Sequence, residues 1–179
     1  MDEKALLAES FKKVFESMDK VAVKKGVDEM GIDKYISHCA LLAGATGAAS
    51  GLAGGASLII GLPVDIINNV VQQFRVTLGV IYHKKGVYKI SFTDFMKIVG
   101  VSLGVEVGAS LSKAVMIRIA IAILARLSGS TALRLLPLVG AVIGGTANYG
   151  FIKFIGVAVK KIDMSNFTFE EESEPVKPE

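Results

Sequence analysis

The chain holds no tryptophan, one cysteine and two histidines in 179 residues, and each scarcity removes a class of function. The lone cysteine, Cys39, excludes an intrachain disulfide and any cysteine-rich zinc site. At the head of an apolar run it reads as a small buried hydrophobe. His38 and His83 are too far apart in the chain for a local metal pair such as H-x-x-x-H, so no metal or other cofactor is expected. Without Trp, an interfacial aromatic belt would depend on tyrosine. The opening residues MDEKALLAES lack the basic patch and apolar stretch of a secretory signal. A cytoplasmic protein, peripheral at the inner membrane, is expected; an integral membrane protein is the alternative.

Charge is also modest. The net charge is +3, from scattered Lys and Arg. That favours an anionic membrane surface but forms no nucleic-acid footprint, and no aromatic-plus-basic platform for bases is present. Apolar residues make up 51% of the chain and the mean hydropathy is +0.52. Those values lie between an ordinary soluble domain and a polytopic membrane protein.

What is abundant is small apolar chain. Residues 39–64, CALLAGATGAASGLAGGASLIIGLPV, run 26 residues with no charge and six glycines. The length suffices to cross a bilayer as a helix. The small residues Gly44, Gly47, Ala48, Gly51 and Gly55 would give a face that another helix backbone can approach closely. A second such stretch, residues 135–152, has 18 uncharged residues, a proline and four glycines.

Strand-type alternation persists nowhere, so the fold is expected to be all-α: a single-domain, compact helical bundle with long Gly/Ala-rich core helices. Residues 1–31 read as an N-terminal amphipathic helix on or beside the domain. Leu7, Phe11, Val14, Phe15, Met18, Val21 and Ala22 form its apolar face to about Lys25. Residues 32–162 form the domain proper. A helix is expected over 39–61, and Pro63 suits the first turn of the next, from Val64 to about Tyr82. Ser91 or Thr93 caps another, apolar from Phe95 to Leu127, with a turn at Ser128-Gly129-Ser130. The last helix spans about 131–161, and the acidic tail 163–179 is expected to be disordered.

The catalytic motifs fail on context. GVSLG at 100–104 matches a nucleophile elbow, but helix-type sequence precedes Ser102 and both histidines come earlier in the chain. S-x-x-K occurs three times without partner motifs, and no Walker or dinucleotide-type glycine loop exists. The protein is therefore expected not to be an enzyme. Polar residues inside apolar segments are more informative. Asp65, Arg75, Glu106 and Arg118 are costly to bury alone and should pair across helices or open to water. Glu106 facing Arg75 or Arg118 would make an interhelical bridge. Such a network would fix helix register, or line a groove for a lipid headgroup or another anion.

Three stretches together resemble the EcsC family: GLPVDIINNVVQQFRVTLGVIYHKKG at 61–86, the preceding AGATGAASGLAGGA, and LRLLPLVGAVIGGTANYGFIKFIGVAVKK at 133–161. The family often carries a Tyr-Gly pair where this chain has Tyr82-His83-Lys84-Lys85-Gly86. The resemblance implies a bacterial, mostly helical protein associated with membranes or membrane machinery, with no catalytic residues. Pro63, Asp65, Arg75, Gly144, Gly145, Asn148 and Tyr149 fall on its pattern. Candidate groove residues are thus Asp65, Arg75, Glu106, Arg118, Asn148 and Tyr149. Candidate helix-packing glycines are Gly51, Gly54, Gly55, Gly144 and Gly145, with self-association through them as one use.

The expected function is a non-enzymatic, amphitropic helical protein that meets membrane lipid or a membrane protein. A pore-former inserting 39–62 and 135–152, or a soluble carrier of a hydrophobic ligand, are the alternatives.

Overall fold

In a computed structural model of the chain the described residues are 3–45, 64–108, 110–131 and 139–169, with side chains described from residue 9 and those of 64, 65, 127–131 and 139–146 excepted. They form an all-α bundle of seven helices with no strand among them. In order these are α1 (Glu3–Ser17), α2 (Lys20–Met30), α3 (Ile32–Gly44), α4 (Val64–Lys85), α5 (Phe92–Ser102), α6 (Lys113–Thr131) and α7 (Val139–Lys161).

The bundle is organised around α4, which touches all six other helices. A helix that is apolar on every side must be enclosed on every side. Phe74, Val76, Leu78, Val80 and Ile81 point in different directions around α4, and none is accessible to solvent. On one side Phe74 meets Phe11 of α1 edge-on at 6.1 Å and Phe95 of α5 at 5.1 Å, and Phe15 packs on Phe95 at 4.7 Å. Such aromatic pairs each add about 0.5–1.5 kcal/mol beyond area burial. On the other side α3 and α7 run antiparallel. Ile36 lies on Gly156, Ser37 accepts from Lys153, and Asp33 pairs with Lys160.

The expected N-terminal helix is two. Asp19 caps α2, its carboxylate accepting from Ala22 N–H at 2.9 Å, and the chain restarts with a new rotational phase. Val21 and Ala22, expected on the apolar face, are exposed, while Val23 and Val27 are buried. The long apolar segment 95–127 is also divided. Leu103 ends α5, and Gly104 takes φ +74°. Gly104 N–H reaches Val101 O at 3.0 Å and Val105 N–H reaches Gly100 O at 2.9 Å, the Schellman stop. The turn expected at 128–130 is helical backbone within α6. The chain beyond 162 is not simply tail: Met164 is buried, and Phe167 and Phe169 pack against the core. Residues 46–63 and 170–179, with most of the first Gly-rich segment and the end of the acidic tail, lie outside the described residues.

Tyr35 shows how glycine lets α2 and α4 close on α3. A Cβ at Gly26 would stand 2.6 Å from its Cε2, and one at Gly79 3.0 Å from its Cε1. The ring is buried and has nowhere to move. Gly26→Ala is therefore expected to destabilise: overpacking costs about 1–3 kcal/mol, against about 1 kcal/mol gained in helix propensity. Gly150→Ala, where a Cβ meets nothing within 4 Å, should stabilise by up to about 1 kcal/mol. Urea unfolding followed by circular dichroism separates the two; equal stabilisation would mean that Tyr35 has room.

Candidate functional site

Polar side chains are concentrated on α4 and at one end of the bundle. The first group begins where α3 stops. A helix C-terminus leaves its last carbonyls without helical partners, and here amides from two neighbouring helices meet them. Asn68 Nδ2 of α4 donates to Leu42 O at 2.9 Å, and Asn148 Nδ2 of α7 donates to Ala43 O at 3.4 Å. Gln72 Nε2 in turn donates to Asn68 Oδ1 at 3.2 Å. Asn148, a groove candidate in the sequence, thus ties α7 to the end of α3.

Arg75, on another sector of α4, is half-buried beside Tyr35 and Cys39. Burial opposes its charge, but Tyr35, Cys39 and Asp19 outweigh that and hold the guanidinium protonated. The guanidinium influences the Tyr35 phenol without making a well-formed hydrogen bond to it, since Tyr35 Oη has no such partner. Burial pushes the Cys39 thiol up to about 11 and raises Tyr35 as well. A third sector carries Asn69, Gln73 and Thr77 at i, i+4 and i+8, all buried.

Two of the other expected groove residues lie outside the interior. Glu106 and Arg118 are exposed, and no bridge joins them to each other or to Arg75. Both reach water, so neither needs a buried partner. Tyr149 is half-buried against the core. Asp65 lies in the first turn of α4, and Gly144 and Gly145 lie in α7, but their side-chain surroundings are outside the described residues, as are Gly51, Gly54 and Gly55 entirely. Among the described residues the glycines in tight helix contacts are Gly26, Gly79, Gly100 and Gly156. Ser102 ends a helix rather than a strand, and its hydroxyl donates to Val99 O at 2.7 Å. Among the described residues no three potential metal ligands cluster.

The second polar group lies where α2, α4 and α7 end and α3 begins. Lys84 Nζ of α4 donates to Lys160 O at 2.9 Å and Ile162 O at 2.6 Å, holding the ends of α4 and α7 together. Tyr82 Oη donates to Asp28 Oδ1 at 2.8 Å, bringing in α2. Every acid described here is engaged. Asp28 is held below the usual carboxylate range by Lys24 and Tyr82, Asp33 by Lys160, and Asp163 by the Ser165 N–H. Glu29 faces Lys25 at 3.7 Å. Lys34, His83, Lys85, Lys89 and Lys161 are exposed and form no ion pair among the described residues. Lys85 and Lys89 rest over the rings of Phe169 and Tyr88.

An apolar stripe leads to this end along the outer face of α7. Ala147, Gly150, Phe154, Val157 and Lys161 follow a 3-4 spacing and all are exposed. Phe154 and Val157 are 48% and 52% accessible, high for side chains of this kind. The sequence held both signals, basic last turns and a one-face repeat. It did not show that the two helix ends meet.

Asn68→Ala is expected to cost about 1–3 kcal/mol, because it strands the Leu42 carbonyl, whereas Asn166→Ala on the surface should be neutral in the same urea titration. For Cys39, a folded pKa above the unfolded one means a stabilising contribution that is complete below about pH 9 and lost as pH rises through about 11. Stability should therefore fall over that interval, less steeply in Cys39→Ala, and the native thiol should resist a disulfide reagent at neutral pH until the chain is unfolded. The chain matches no family model, and no curated protein or solved structure is similar to it.

Proposed function

We propose that this is a non-enzymatic, amphitropic helical protein that docks on anionic membrane lipid through the basic end of the bundle and the adjoining face of α7. The observation that carries the reading is that the exposed cations Lys85, Lys89, Lys161, Lys34 and His83, none in an ion pair with a described acid, gather at the end of the bundle to which the exposed Phe154 and Val157 lead. A cation near an anionic leaflet contributes about 1 kcal/mol. Full burial of a Phe or Val side chain contributes about 1.5–3 kcal/mol, and these two begin about half-covered. Together the terms suit reversible surface attachment rather than permanent insertion. Lys161 stands one turn beyond Val157 on the same face, so its ammonium would reach headgroups while the apolar residues enter the interface. No described helix is long and apolar enough to cross a membrane. The EcsC-like motifs point toward membranes as well.

Co-sedimentation with vesicles tests this. Binding to phosphatidylcholine vesicles should require added phosphatidylglycerol and should weaken as salt rises. The double reversal Lys85→Glu/Lys161→Glu should weaken it at least about tenfold, at about 1 kcal/mol per charge. Phe154→Ala should weaken binding yet leave its salt dependence unchanged. Protein that stays in the supernatant with every vesicle composition would sink the reading; concentration-dependent dimerisation lost in Phe154→Ala would give the α7 stripe to a second copy instead.

A further inference from the structure

The interior sector of α4 carries polar atoms that no described protein group reaches. Gln73 is fully buried, and neither its Oε1 nor its Nε2 has a hydrogen-bond partner among the described residues. Thr77, one turn further on the same face, is equally buried, and its Oγ1 is unpartnered among them. In native proteins about nine in ten or more such buried groups have a partner. Two neighbouring side chains without one, on the most enclosed helix of the bundle, mark a place that something polar completes.

The chemistry of the open positions defines the ligand. Gln73 presents a donor and an acceptor, and Thr77 a hydroxyl that serves as either. The half-buried cation of this helix, Arg75, lies two residues from both and so about 200° around the axis, on the side of Tyr35 and Cys39. A charged ligand at Gln73 would meet no countercharge from it and would bear a large desolvation penalty. A carbonyl could not satisfy Gln73 Oε1, and an ammonium would bring charge. An uncharged hydroxyl both donates and accepts.

We propose that Gln73 and Thr77 form an interior binding site for uncharged hydroxyl groups, supplied by water or by a co-purified hydroxylated molecule such as a polyol or acylglycerol. The site is independent of the membrane-docking surface, which lies at the end of the bundle.

The test is isotope-edited NOESY and ROESY on the labelled full-length chain, isolated without detergent or glycerol, observing the Gln73 side-chain amide. Cross-peaks to the water line with opposite NOE and ROE signs identify long-lived internal water. Cross-peaks to carbon-bound protons of a second molecule, with a matching adduct in native mass spectrometry, identify a hydroxylated ligand. Either result supports the site, and absence of both overturns it. Thr77→Val, with its fold checked by circular dichroism, should reduce the cross-peaks or the adduct severalfold. Undiminished signals would remove Thr77 from the site and overturn the assignment.

Discussion

The structure depends on the enclosure of α4. A 22-residue helix buried along most of its length cannot be covered by one neighbour, so six others must meet it from different directions. Each meets a different sector. Aromatic rings from α1 and α5 fill the side of Phe74, where large surfaces can interlock. Glycine brings the α2 and α3 side close enough for Tyr35 to lie against Gly26 and Gly79. The cost of enclosure is that polar side chains on α4 lose water. Asn68 recovers a partner in the Leu42 carbonyl, whereas Gln72, Gln73 and Thr77 keep open positions.

Helix ends account for much of the remaining polarity. Orphan carbonyls at the end of α3 draw in the amides of Asn68 and Asn148, and those near the end of α7 draw in Lys84. These contacts are structural, yet they have a consequence at the surface. Basic residues are favoured in the last turn of a helix by its dipole, and α4 and α7 finish together. Cations selected locally by two separate helices therefore accumulate at one end. The described acids there are engaged by Lys24, Lys25, Lys160 and the Ser165 amide, and the remaining described cations form no ion pair with them.

Much of the fold was legible where a local rule acts alone. Phe11, Val14 and Phe15 were placed on an apolar face, and they are buried. Ser91 was read as a cap, and its hydroxyl accepts from Asp94 N–H. The misreadings share a cause. Met18, Val21 and Ala22 continue the apolar spacing across Asp19, so periodicity alone joins two helices that the cap separates. In VSLGVEV the apolar segment was read straight through Gly104, although Gly followed by Val is also the local signature of a Schellman stop. The candidate site was less legible. Glu106 and Arg118 were singled out because charge in apolar sequence is conspicuous, but they lie on the outside, and the neutral Gln72, Gln73 and Thr77 went in.

Sequence by itself determined the helical class, the starts of α1, α4 and α5 and the apolar face of α1, because these follow from residue propensity, capping and spacing within a few turns of chain. Only the tertiary structure decided which polar groups are buried, which glycines make contact and which lysines share a surface. Burial and juxtaposition depend on what packs against each sector of a helix, and those neighbours come from far along the chain: Asn148 meets Ala43 across 105 residues, and Lys160 meets Asp33 across 127.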